Sequence, residues 1–556
     1  MGPVPVAGLL LLLAWTFACL WFPLTDTDVW WHLAAGEWMA DHKTFLRVDP
    51  FSASALGRPW IDLHWGFQLL SLALWTSGGA AALIAGKCLL VALAGFLALR
   101  PHLNSATAVF LLPMAGFGLY QTRFFLDVRP LAVTLAGLAA LYAATTAHLR
   151  GRLRHPWVVI LPVQILLANI QGLYPLGAFL VTCLWAGEAL DRRRASVAPS
   201  GVPTELSLAP LGWTCAGTWL AGLITPYGLP GFLLPLALLL RITPLPGNVF
   251  SAEIAENLPL HTLALQDPAA AAPHLLLLLT TLWTFERARG RFSTGHALLL
   301  AGFALLGLMA QRNLPLLLLA CLFASGRNLE VSVSDTLPKV SGREIRPGFR
   351  AWAGPAALIL VAALAAPSIR RAWEYELPGT LETPFRFPSG AVAYMRAHPV
   401  KGPLFNELRF GGYLAHRLHP DVLPFVDGRM ILRDADFYRE FLTTVDHPRT
   451  FPAYADKHGF TQVLLPIGED RRFQPLAAYL AREEGWAILY CDGAAAWLAR
   501  PGVADSLALP RGPFDASHPM LGALKDRYAA NSRLLALARD NLMDFLRAAG
   551  WIEISS

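Results

Sequence analysis

Two carboxylates, two tryptophans and an imidazole stand together in Asp26-Thr27-Asp28-Val29-Trp30-Trp31-His32-Leu33, directly after a strongly apolar stretch. In an extended loop, Asp26 and Asp28 are two apart and their side chains point the same way. On a helix, Asp28 and His32 are four apart and share a face. Carboxylates with an imidazole can bind a divalent metal, and one carboxylate can instead act as a general base. The same residues also fit a helix start capped by Asp, with His at an interface.

Further polar groups are expected near this motif. Arg123, Arg129 and Arg312 stand at the ends of apolar runs. An Arg within hydrocarbon costs about 2.5–3.5 kcal/mol on insertion scales, so such residues face a cavity or a partner, or snorkel to the headgroups. Arg also suits bidentate phosphate binding. Asn169 and Gln171 mark a hairpin, where helix-end hydrogen bonding and ligand contact are both open. Glu253 and Glu256 could add carboxylates to a metal shell with Asp28 and His32, or belong to a solvated loop. Lys87 lies inside an apolar run and is assigned no role. Later, Phe405 to Tyr413 contains the Gly411-Gly412 pair, and Phe425 to Arg429 contains Asp427-Gly428-Arg429. Loops after strands often build sites, although tight turns explain both segments.

The elements that position these residues are mainly membrane-spanning. Apolar residues make up 55% of the 556-residue chain and charged residues only 15%. Residues 6–24 are long enough to cross a bilayer and lack a basic n-region or small-residue cleavage site, which predicts a retained anchor. The net charge of +6 sits in short clusters between apolar stretches, which is better read as positive loops than as nucleic-acid affinity, and no nucleic-acid partner is expected. Five of the six cysteines fall in apolar segments, so no disulfide framework is implied. Walker, dinucleotide, zinc and nucleophile-elbow motifs are absent.

Four Arg clusters (150–154, 192–194, 287–291, and 327–350 with Lys339) are placed in the cytoplasm. Eleven spans satisfy this: 6–24, 80–99, 104–122, 130–148, 156–171, 173–190, 208–225, 271–285, 295–311, 313–326 and 351–367. The N-terminus is then cytoplasmic, and everything after residue 368 lies outside. Two further apolar stretches, 62–77 and 229–241, are read as helices on the outer interface. The expected domains are a membrane body, 1–367, with a long first outer loop at 25–78, an α/β domain at 368–500, and a helical tail at 501–556. Within the α/β domain the pattern predicts helices 388–398, 449–458 and 472–484, and strands 403–406, 422–426, 461–465, 487–491 and 494–499. One or two helices are expected over 515–550.

Taken in order, several motifs resemble the polytopic glycosyltransferases of the GT-C superfamily, which include oligosaccharyltransferases and protein O-mannosyltransferases. They are Asp28 to Gly36, Asp49-Pro50-Phe51-Ser52, Gly57-Arg58-Pro59-Trp60-Ile61, Arg129-Pro130, Asn169-Ile170-Gln171-Gly172, Thr225-Pro226-Tyr227-Gly228, Gly411-Gly412-Tyr413-Leu414 and Asp427-Gly428-Arg429. The chain departs from the pattern at Gln171, where His is expected, and at Glu256-Asn257, where Glu-Trp is expected.

The resemblance implies an α-helical polytopic fold and transfer of a sugar from a polyprenyl-phosphate-linked donor to a glycan, lipid or protein acceptor. The setting it implies is the outer face of a bacterial inner membrane. Asp26 or Asp28 would be the catalytic base or a metal ligand, with magnesium or manganese as the possible ion. Arg123, Arg129 and Arg312 would bind the lipid phosphate. Trp31, His32, Asn169, Gln171, Tyr413 and Arg429 are the candidate substrate contacts. Membrane lipids are the remaining partner. Two other readings are a lipid or glycan transporter (a flippase), and a non-catalytic envelope scaffold with the same fold.

Overall fold

The computed structural model describes residues 2–197, 207–243, 247–336, 352–374, 376, 380–468, 471–509 and 519–551. Lys339 and the end of the 327–350 basic cluster lie outside the described residues, as do residues 510–518, where the helices expected over 515–550 begin. The chain divides into two compact units. One comprises Met1–Trp21, Leu63–Phe67 and Leu83–Arg370; the other comprises Phe22–Asp62, Gln68–Ala82 and Arg371–Ser556.

The first unit is helical. Among the described residues, six helices are long and apolar enough to cross a membrane: Pro3–Leu20, Trp65–Leu99, Leu131–Leu149, Pro268–Arg287, Gln311–Ser332 and Ala353–Trp373. Three shorter apolar helices are Trp157–Ala168, Gly228–Arg241 and Thr294–Met309. Each of the eleven stretches read as spans falls on a helix, though several helices are too short to cross on length alone. The Trp65–Leu99 helix breaks at Gly78 and Gly79, where Gly79 adopts φ +60°, so the 62–77 and 80–99 stretches are separate helical segments. The left-handed conformation there requires Gly. Glycines elsewhere let helices approach: Gly187 and Gly295 face each other backbone to backbone, leaving no space for a Cβ. All six cysteines are buried and free.

The second unit is built on a four-stranded sheet. Its strands are β1 (Leu404–Asn406), β2 (Gln462–Pro466), β3 (Ala487–Cys491) and β4 (Ala495–Ala499), in the order β1-β2-β4-β3. β1 runs parallel to β2, while β4 is antiparallel to both of its neighbours. The hairpin between β3 and β4 turns at Asp492, whose Oδ1 accepts from the Ala494 and Ala495 amides. Alternating strands and helices at 389–397, 451–458 and 474–482 match the α/β pattern, and helices Pro519–Tyr528 and Ser532–Ala548 form the tail.

Two expectations are corrected. Residues 422–426 are not a strand: Pro424 makes only an isolated bridge to Leu404. Proline cannot donate to a ladder. The carbonyls of this segment serve the first loop instead, with Pro424 O accepting from Ala53 N and Phe425 O from Ser54 N. The Gly411-Gly412 pair is not a turn but lies inside the Leu408–Leu418 helix, capped by the Glu407 side chain accepting from Arg409 N. A further helix, Ala435–Asp446, was not expected; Asp434 caps it by accepting from Phe437 N.

Candidate active site

The first-loop motif and the late-chain motifs assemble within the second unit. Asp28 opens the Asp28–His42 helix, and its backbone amide donates to Asp26 Oδ1 at 3.0 Å. Asp26 thus caps the turn that delivers Asp28, and it is buried. The Trp31 indole N–H donates to Asp28 Oδ1 at 3.0 Å. That fixes one carboxylate oxygen. Among the described residues, Asp28 Oδ2 has no hydrogen-bond or ion-pair partner, and Asp28 is partly exposed.

Glycines bring the other motifs onto this residue. A Cβ at Gly428 would collide with Asp28 Oδ1, and it would lie 3.6 Å from Trp31 Nε1. At Gly412 a Cβ would meet Thr27 O at 3.0 Å and Trp31 N at 3.2 Å, and at Gly411 it would collide with Val426 O. The Leu408–Leu418 helix therefore presses its glycine face on the start of the Asp28–His42 helix and on the Val426-Asp427 backbone.

Below this surface lies a four-charge network. Arg429 donates to Asp49 Oδ1 at 2.7 Å and to Asp427 Oδ2 at 2.6 Å, with its side chain 1% exposed. Arg433 lies 3.7 Å from Asp427 Oδ1 and donates to Ser52 and Ser54 Oγ, each at 2.8 Å. Asp49 also accepts from the Phe51 and Ser52 amides. Burial by itself would raise the Asp427 carboxyl, but the Arg429 and Arg433 guanidiniums outweigh it and hold it at about 2. Arg429 is stacked on Trp60 at 4.6 Å, and the Trp60 ring meets Trp31 edge to face at 6.1 Å. The network so links the Asp49-Pro50-Phe51-Ser52 and Asp427-Gly428-Arg429 motifs to the ring that holds Asp28.

The remaining candidates divide. His32 is buried, its ring against that of Trp31 at 3.6 Å. Tyr413 is buried too, edge to face with Trp30 at 4.8 Å. Arg429 binds two carboxylates of the protein and is closed to solvent.

In the helical unit, every polar side-chain atom of Asn169 is engaged. Its Oδ1 accepts from Trp65 Nε1 at 2.9 Å, and its Nδ2 donates to the Ile165 and Ile224 carbonyls, both at 2.8 Å. Gln171 Oε1 accepts from the Thr134 hydroxyl at 2.7 Å. Arg123 donates to Tyr120 O and lies over the Tyr120 and Phe124 rings at 3.9 and 4.1 Å. Arg129 pairs with Glu256 at 2.7 Å. Arg312 sits on the short Gln311–Asn313 turn, which is tied to the Leu258 carbonyl through Gln311 N.

No group of three or more His, Cys, Asp or Glu side chains placed to hold a metal occurs among the described residues. Of the carboxylates expected to add to such a set, that of Glu256 is engaged by Arg129. Sequence reasoning also passed over two buried partners. Lys87 pairs with Asp127 at 3.3 Å, and Arg433 joins the charge network; the excess of two acidic residues over one basic residue in the two motifs was the signal available for the second.

No family model matches the sequence, and no curated protein matches it. Solved structures similar to this chain include the archaeal oligosaccharyltransferase AglB from Archaeoglobus fulgidus in complex with an inhibitory peptide and a dolichol-phosphate. It is 13% identical with a TM-score of 0.49, over 85% of this chain and 71% of that one. Another is ArnT from Cupriavidus metallidurans bound to undecaprenyl phosphate, 14% identical with a TM-score of 0.45, over 91% of this chain and 98% of that one.

Proposed function

We propose that this protein is a membrane glycosyltransferase that moves a sugar from a polyprenyl-phosphate-linked donor to an acceptor nucleophile, with Asp28 as the base. The observation that carries the reading is the Asp28 carboxylate: one oxygen is held by Trp31, the other is unpartnered among the described residues, and the residue is partly exposed. A general base needs such an oxygen within reach of the proton it removes. Asp26, buried and bonded to the Asp28 amide, positions the base.

In the proposed step, an acceptor O–H or N–H gives its proton to Asp28 Oδ2 while its heavy atom bonds to the anomeric carbon. The bond from that carbon to the phosphate oxygen breaks, and the polyprenyl phosphate leaves with the electron pair. Guanidinium groups stabilise the negative charge as it develops. Arg123, Arg129 and Arg312 are proposed for that role in the helical unit. No step is assigned to a metal ion.

Six apolar helices of spanning length support a multi-pass protein, as a lipid-linked donor requires. The cytoplasmic N-terminus, the outward-facing second unit and the bacterial inner membrane belong to the same proposal. Incubating the purified protein in lipid nanodiscs with radiolabelled polyprenyl-phosphate sugars tests it, with label leaving the lipid as the readout.

A further inference from the structure

One buried cluster in the helical unit has no part in the proposed transfer. His102 follows the Trp65–Leu99 helix, Tyr142 belongs to Leu131–Leu149, His296 to Thr294–Met309 and Glu330 to Leu314–Thr336. Their polar atoms form one chain. His102 Nδ1 lies 2.6 Å from Glu330 Oε2, His102 Nε2 lies 2.6 Å from the Tyr142 hydroxyl, and that hydroxyl lies 2.9 Å from His296 Nε2. Tyr142 is 0% exposed and is stacked on Phe323 at 3.8 Å, and the two histidines are buried. Arg150 donates to Glu330 at 2.6 Å. His296 Nδ1 is buried without a partner. The His102 ring packs against Gly326, where a Cβ would lie 3.0 Å away.

Proton bookkeeping gives this chain a direction. Glu330, ion-paired with Arg150, accepts, so His102 carries its proton on Nδ1. The nearby Arg150 Nη2, 3.0 Å from Nδ1, is then a neighbour and not a donor to that atom. His102 Nε2 must accept from the Tyr142 O–H. The Tyr142 oxygen in turn accepts from His296 Nε2–H, and His296 Nδ1 is left as a bare acceptor. With neutral imidazoles, every close contact is satisfied by one set of protons.

We propose that His102, Tyr142 and His296 form a proton-binding site, and that taking up one proton at His102 Nε2 breaks the chain and weakens the joint among the four segments it ties. The new Nε2–H must donate to the Tyr142 oxygen, and the hydroxyl must turn away. It can turn to His296 Nε2, which pushes the His296 proton to Nδ1, where a buried donor has no partner. It can turn instead to the Phe323 carbonyl at the longer distance of 3.3 Å. An unpaired buried donor is the costlier of the two mismatches.

The charges facing His102 are Arg150, Arg327 and Glu330, with Tyr142 and His296 as the other titratable neighbours. A protonated His102 would therefore be a third positive charge against one carboxylate. Burial lowers the basicity of His102, and the Glu330 hydrogen bond opposes this without reversing it. With the folded value below the ordinary imidazole value of 6.5, the stabilisation is fully present above about 6.5 and is lost as the pH falls toward the lower folded value.

The test is thermal unfolding of the full chain in detergent at pH 7.5 and at pH 5.5, for wild type, His102→Gln and Tyr142→Phe. Gln keeps a donor for Glu330 but cannot titrate, and Phe keeps the ring stack but cuts the chain. The wild-type melting temperature should fall by several degrees on acidification, and either variant should lose most of that fall. Two variants guard against one failing to fold. Parallel pH dependence in wild type and in any folded variant would overturn the proposal.

Discussion

Gly428 lies flush against the Asp28 carboxylate, so that a single added methyl would collide with Asp28 Oδ1. That oxygen is also the acceptor for Trp31 Nε1, so Asp28 cannot yield without losing the bond that orients it. Gly428→Ala should therefore cut sugar transfer by roughly 10- to 100-fold, the cost of misplacing a reacting group by about 1 Å. Its melting temperature should move little, because the colliding atom ends a side chain. Transfer kinetics beside a thermal melt check this; normal turnover in Gly428→Ala would detach Asp28 from the chemistry.

The Asp427 carboxyl, held at about 2 against the ordinary aspartate value of 3.8, stabilises the second unit with a definite pH dependence. The contribution is fully present above about 3.8 and is lost as the pH falls through about 2. Asp427→Asn should remove this acid-dependent portion. At neutral pH it should cost about 3–5 kcal/mol, because Arg429 and Arg433 stay buried with a charge missing. Denaturant unfolding across pH 2 to 7 reads both effects.

Asn169 joins three segments through Trp65, Ile165 and Ile224, and its polar atoms are all used in doing so. Asn169→Ala should destabilise the helical unit by about 1–3 kcal/mol through the orphaned groups. The donor KM of the protein that remains folded should not change. A raised KM at unchanged stability would instead return Asn169 to substrate contact.

Arg129 and Glu256 form a pair whose side chains are 24% and 39% exposed. Such a pair contributes about 0–1 kcal/mol to stability. Arg129→Ala should therefore melt close to wild type, while the donor KM rises roughly tenfold for one lost charge-assisted phosphate contact. Glu256→Gln should leave the donor KM at or below the wild-type value. A lipid-titration series of initial rates distinguishes the two.

Much of this fold could be read from periodicity and charge. The four strands of the sheet and the eleven apolar helical stretches follow directly from apolar runs and their Gly, Pro and Arg boundaries. Residues 422–426 failed because an apolar run containing Pro424 spends its carbonyls on a segment some 370 residues earlier, which no local pattern reports. Gly411-Gly412 misled for a related reason: in a helix pressed against another backbone, glycine marks close approach and not a turn. Asp28 was legible as a candidate, but its distinction from Asp26 was not, since both are the same residue type and only burial separates them. Arg429 looked like a ligand contact because its partner Asp49 is 380 residues away.

The most direct test of the account is transfer of radiolabelled sugar from a panel of polyprenyl-phosphate donors, comparing wild type with Asp28→Asn in nanodiscs. The substitution keeps the Trp31 hydrogen bond and removes the base, so the account predicts turnover by wild type and a loss of at least 100-fold in the folded variant. Equal turnover by Asp28→Asn and wild type would contradict it.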